Sequence, residues 1–111
     1  MKNQPNLGDL QQLILLAVLR LGDDAYGVTI RSELSHRAGR TLAPGALYTA
    51  LERLEKRGLV TSRMGEPTPQ RGGRAKRYVR VSSDGIRALR RAVRAQERML
   101  EGLDQLRSAH A

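Results

Sequence analysis

Residues 44–65 read PGALYTALERLEKRGLVTSRMG, and residues 75–81 read AKRYVRV. Pro44 suits the first position of a helix, where its missing N–H is not needed. Leu47, Leu51 and Leu54, with Ala50 beside them, recur on one face and are expected to turn inward. Gly45, Ala46, Thr49, Arg53 and Lys56 fall toward the opposite side, with Tyr48, Glu52 and Glu55 on a flank. Gly58 ends the helix. Leu59 to Met64 reads as a strand, and Lys76 to Val81 as a second, half-buried strand with Val79 and Val81 on one face. Between them, Gly65 to Ala75 holds two Pro, three Gly and two Arg, the composition of a loop. The order helix, strand, basic loop, strand is that of a winged helix-turn-helix, a mainly α fold with a small β-ribbon.

Upstream, Leu10, Leu13, Ile14, Ala17, Val18 and Leu21 keep helical spacing. Leu15, Leu16 and Leu19 widen that stripe, which predicts a helix covered on two sides. Asn6 is the candidate cap of this helix, and Asp24 that of the next. Tyr26, Ile30 and Leu34 form one stripe of the second helix, which Gly39 stops. Downstream, Ser82 or Ser83 caps a last helix predicted to run to about Leu106, or ~36 Å. Ile86, Leu89, Val93, Gln96, Leu100 and Leu103 follow alternating steps of three and four, a coiled-coil-like seam for dimerisation. Residues 1–81 are therefore expected to form the winged helix-turn-helix and residues 82–111 the dimerisation helix, in one compact domain.

The chain has 111 residues, room for one small domain, and neither Phe nor Trp. Its core must come from Leu, Val, Ile, Ala and Met, and burial between two copies would help it. The formal net charge is +9, and 17 of the 20 basic residues are Arg. That balance favours a polyanionic partner, and the planar guanidinium suits phosphates and guanine edges. The absence of Cys excludes disulfides and thiolate metal sites. No run approaches the ~18 apolar residues of a membrane span, and no signal peptide is evident, so the chain reads as cytoplasmic.

A helix that reads DNA must bring its backbone close to the bases, and Gly45 and Ala46 allow that approach. The helix start presents N–H groups to phosphate. Thr49 can hydrogen-bond a base edge or touch a thymine methyl, and Arg53 can reach phosphate or guanine. Gly72 and Gly73 let the loop lie flat on a sugar-phosphate backbone, with Arg71 and Arg74 flanking them. The alternative for the helix is an ordinary amphipathic segment, and for the loop a solvated basic one. The only histidines, His36 and His110, lack ligand-like neighbours, so no metal site or cofactor is expected. No nucleophile elbow, P-loop or dinucleotide fingerprint occurs, so the chain does not read as an enzyme.

The segment GALYTALERLEKRGLV resembles the signature of the PadR family of transcriptional regulators. GGRAKRYVRVSSDG is similar to that family's wing, second strand and start of the last helix, and LGDLQQLILLAVL with DAYGVTI to its first two helices. The resemblance runs over residues 7 to 106. It implies a cytoplasmic, homodimeric, DNA-binding repressor acting on an inverted repeat. Pro44, Gly45, Ala46, Tyr48 and Thr49 match the positions that approach the major groove and its phosphates. Arg71, Gly72, Gly73, Arg74, Lys76 and Tyr78 match the wing and its base. An unidentified small-molecule effector binding between the copies would change the spacing of the recognition helices. The chain departs from the family at Ala43, where a capping Ser or Thr is common, and in having no Trp or Phe for a drug-stacking site. A sequence-independent architectural nucleic-acid-binding protein is the alternative, and a winged helix used only for protein association a third reading.

Overall fold

Ile14, Leu15, Ile30, Leu34, Leu47 and Leu54 are the largest fully buried side chains, and they come in pairs from three helices. Ile30 and Leu34, like Leu47 and Leu54, recur at one-face spacing, while the adjacent Ile14 and Leu15 show that α1 is buried over a wider arc, and the three helices pack these faces against one another. The computed structural model describes residues 6–66 and 75–107. Within them the order is α1 (Asp9–Leu21), a 3-10 turn (Gly22–Asp24), α2 (Gly27–Ala38), α3 (Pro44–Lys56), β1 (Val60–Met64), β2 (Arg77–Val81), α4 (Ser83–Leu100) and α5 (Asp104–Arg107). This is the predicted winged helix-turn-helix, mainly α with a two-stranded antiparallel sheet.

The strands pair Val60 with Val81, Ser62 with Val79 and Met64 with Arg77. Val60, Val79 and Val81 are buried and extend the core beneath the ribbon. The far edge of β2 is engaged as well, because the Val79 N–H donates to the Ala25 carbonyl at 2.9 Å. The ribbon is thus fastened to the corner between α1 and α2.

Helix ends follow local chemistry, and two differ from expectation. The N-cap of α1 is Gly8, not Asn6, and the Gly8 N–H donates to the Gln11 side chain at 3.1 Å. Asp24 belongs to the 3-10 turn, and the N-cap of α2 is Tyr26, whose N–H donates to Thr29 Oγ1 at 3.0 Å. Gly39 ends α2 at φ 64°, a left-handed conformation that glycine adopts without a Cβ clash. Ser82 caps α4 by accepting from the Gly85 N–H at 3.0 Å, and its hydroxyl donates to the Gly58 carbonyl at 2.6 Å.

The last helix is shorter than predicted. α4 ends at Leu100 after 18 residues, about 27 Å. Glu101 is extended and Gly102 has φ 80°, so the chain leaves the helical path before the short α5. Beyond Ala92, α4 packs little against the rest of the chain, and Val93 and Gln96 are exposed. Of the expected seam, Leu89 is buried, Ile86 and Leu100 are half-buried, and exposed Leu103 lies past the break.

Candidate nucleic-acid interface

Leu47 and Leu54 hold α3 in the core, each contributing about 1.5–3 kcal/mol if fully buried. That anchoring fixes which side faces outward. Pro44, Gly45, Ala46, Tyr48, Thr49, Glu52, Arg53 and Lys56 are all exposed. Pro44 occupies the first turn, and Ala43, the N-cap, makes no side-chain hydrogen bond to it. The first amides of α3 therefore remain available to an outside acceptor such as phosphate. Arg53 and Lys56 enter no ion pair among the described residues, so both charges are open to a partner.

Tyr48 stands at the edge of this face with 52 % of its surface exposed. The guanidinium carbon of Arg77 lies 5.7 Å from its ring centroid. Arg77 Nη2 donates to Glu55 Oε1 at 2.5 Å, and its Nε donates to Ser62 Oγ at 3.2 Å. Ser62 Oγ in turn donates to Glu55 Oε2 at 3.1 Å. Helix α3 and both strands thus meet in one hydrogen-bonded cluster at the flank of the outward face.

The opposite face of the ribbon is organised around aromatic rings. Tyr78 meets Tyr26 edge-on, with centroids 5.4 Å apart. The Arg63 guanidinium lies 4.8 Å from the Tyr78 centroid, and Lys76 Nζ lies 4.6 Å from that of Tyr26. Lys76 and Tyr78 are therefore brought to the base of the ribbon. Successive strand residues point to opposite faces, so Tyr78 faces away from the Arg77 cluster. Arg71, Gly72, Gly73 and Arg74 lie outside the described residues.

Sequence reasoning did not single out Arg77, Glu55, Ser62 or Arg63 as parts of this region. A signal existed for Arg77: in an alternating strand it had to share a face with Val79 and Val81, beside α3. Glu55 was read only as a flank residue of α3 beside Tyr48, and Ser62 gave no signal, because its meeting with Arg77 depends on the register between the strands. Among the described residues no group of three or more His, Cys, Asp or Glu is placed to hold a metal ion. No helix among them is long and apolar enough to cross a membrane.

The sequence profile of the transcriptional regulator PadR-like family matches residues 15–91. The chain belongs to the PadR-like family. As a PadR-like protein it is a sequence-specific DNA-binding transcriptional regulator. No curated protein matches it by sequence. Among solved structures it is similar to a PadR family transcription regulator from hypervirulent Clostridium difficile R20291, at 22 % identity and TM-score 0.66, over 86 % of this chain and 95 % of that one. A transcriptional regulator from Clostridium thermocellum is 26 % identical with TM-score 0.65, over 85 % of this PadR-like chain and 86 % of its own. Bacillus subtilis PadR in complex with operator DNA is 22 % identical with TM-score 0.60, over 76 % of this chain and 47 % of that one. That likeness is one of fold, and this chain spans about half the length of the Bacillus protein.

Proposed function

We propose that the chain acts as a homodimeric repressor that binds an inverted repeat. Each copy places the outward face of α3 in a major groove and its wing on the neighbouring backbone or minor groove. The observation that carries this reading is the composition of that face. Its first turn is uncapped by a side chain, its leading residues Gly45 and Ala46 are small, and its cations Arg53 and Lys56 enter no ion pair among the described residues. Thr49, between them, is suited to a base edge. Lys76 and Tyr78, with Arg71, Gly72, Gly73 and Arg74, extend the contact to the wing.

What a single chain leaves open supports a two-fold arrangement. Leu16 and Leu19 of α1 are 39 % and 45 % exposed on the side away from the core. Val93 and Leu103 are also open, while Ile86, Leu89, Gln96 and Leu100 complete the stripe. A second copy laid along α4 would cover these side chains and supply the second covering face that α1 calls for. On this reading residues 82–111 are the dimerisation element and residues 1–81 the DNA-binding element. Half-sites would lie about one helical turn apart, ~10 bp. The dimer works in the cytoplasm, without catalysis, and a small molecule bound between the copies would alter half-site spacing.

Selection from a random duplex library, followed by sequencing of the bound pool, tests the reading. The expected result is an inverted repeat with half-sites about 10 bp apart. A pool that stays random despite binding would show an architectural protein instead. No bound pool at low salt would remove DNA as the partner under those conditions.

A further inference from the structure

We propose that Arg77 is a positioning residue for Tyr48 and not itself a DNA ligand, with Glu55 and Ser62 keeping its charge from phosphate. The proposal rests on Tyr48 being part of the DNA-contacting face. Arg77 opens β2 and turns toward α3, where Glu55 Oε1 takes its Nη2 at 2.5 Å and Ser62 Oγ its Nε at 3.2 Å. Ser62 closes the ring by donating to Glu55 Oε2 at 3.1 Å. The guanidinium is planar, and this fork fixes its plane. Tyr48 and Glu55 are seven residues apart on α3, so they stack on one flank two turns from each other. The fixed plane therefore lies beside the Tyr48 ring, 5.7 Å from its centroid.

Two consequences follow from the charges. The pair Glu55 and Arg77 is locally neutral, so it adds no net pull on a phosphate. Arg77 differs in this from Arg53 and Lys56, which form no ion pair among the described residues. A half-exposed Tyr also loses rotamer freedom when it docks, and a ring already held against a guanidinium loses less. The cluster thus raises operator affinity through order in the free protein, not through an added phosphate contact.

The experiment uses the full chain and the duplex recovered from library selection, with affinity measured across salt concentrations. The variants are Arg77→Gln, Glu55→Gln, the two combined, Tyr48→Leu and the double variant Tyr48→Leu/Arg77→Gln. Arg77→Gln is expected to weaken binding about tenfold per half-site, the size of one lost contact, and adding Glu55→Gln to it, which removes the neutral pair whole, is expected to leave the slope of log affinity against log salt as in the parent. Tyr48→Leu/Arg77→Gln is expected to bind no more weakly than Tyr48→Leu alone. Glu55→Gln unmasks the Arg77 charge and should steepen the slope by about 1.8, the value of one phosphate contact in each copy. This arm decides the matter if thermal unfolding shows that Arg77→Gln fails to fold. A slope that flattens by about 1.8, one phosphate contact in each copy, when Arg77→Gln and Glu55→Gln are combined would make Arg77 a phosphate ligand and overturn the proposal. Losses that multiply in Tyr48→Leu/Arg77→Gln, or an unchanged slope in Glu55→Gln, would overturn it too. If Tyr48→Leu binds as the parent does, the placing of Tyr48 on DNA fails, and the proposal with it.

Discussion

A Cβ built on Gly85 would stand 2.1 Å from the Leu59 carbonyl oxygen and 2.7 Å from Val81 Cγ1. The first turn of α4 therefore packs directly on the start of the ribbon, and only a residue without a side chain lets it. Gly85→Ala is expected to force the two apart and cost about 1–3 kcal/mol, as overpacking does. Thermal unfolding of the variant reads the loss. An unchanged midpoint would mean that α4 can slide away from Leu59 without penalty.

Thr49, on the outward face of α3, and Arg74, expected in the wing, are assigned different work. Thr49→Ala should relax base preference at one position of each half-site, by about 1–3 kcal/mol of discrimination, while leaving the salt slope alone. Arg74→Ala should weaken all duplexes alike and flatten the slope by about 0.9 for each copy bound. Competition between operator and random duplex at several salt concentrations separates the two. The reverse pattern would exchange their roles.

Glu52 is an exposed carboxylate on the outward side of α3, with no ion pair among the described residues. It repels phosphate wherever α3 docks. Glu52→Gln is expected to tighten binding to random duplex severalfold at low salt, and the gain should shrink as salt rises. Equal affinities for the variant and the parent would place Glu52 away from the backbone.

Val93 is open in the single chain, on the stripe assigned to the second copy. Val93→Asp should shift the protein from dimer to monomer in sedimentation, because a charge buried in an apolar seam is not tolerated. The single-chain fold should survive, since Val93 contributes little to its core. A dimer that persists would place the two-fold contact elsewhere.

The core and the order of elements were legible because they rest on periodicity. Leu47 and Leu54, Ile30 and Leu34, and Ile14 with Val18 each announce a buried face by spacing alone. A serine cap was legible because Ser82 and Ser83 stand just ahead of a helical run, and the structure gives the cap to Ser82. The N-caps at Gly8 and Tyr26 were not, since their N–H groups are satisfied by Gln11 and Thr29, side chains inside the helices they start. The end of α4 was missed because the apolar steps continue through Leu103 while the backbone turns at Gly102. On the interface side, the outward face of α3 followed from the inward one. The Glu55, Ser62 and Arg77 cluster could not be read, because it joins three segments through a strand register that one-dimensional spacing does not contain.

The bond from Val79 to Ala25 bears on how the protein behaves when crowded. A two-stranded ribbon on its own has two open edges, each a template for a strand from another molecule. Here β2 spends one of its outward N–H groups on Ala25, inside the same chain. The unguarded edge is then that of β1, five residues long and carrying Arg63. Short and charged, it is a poor seed for stacking strands from neighbouring molecules. A chain proposed to meet a second copy of itself along α4 thus has little scope to meet it in the wrong way along the sheet.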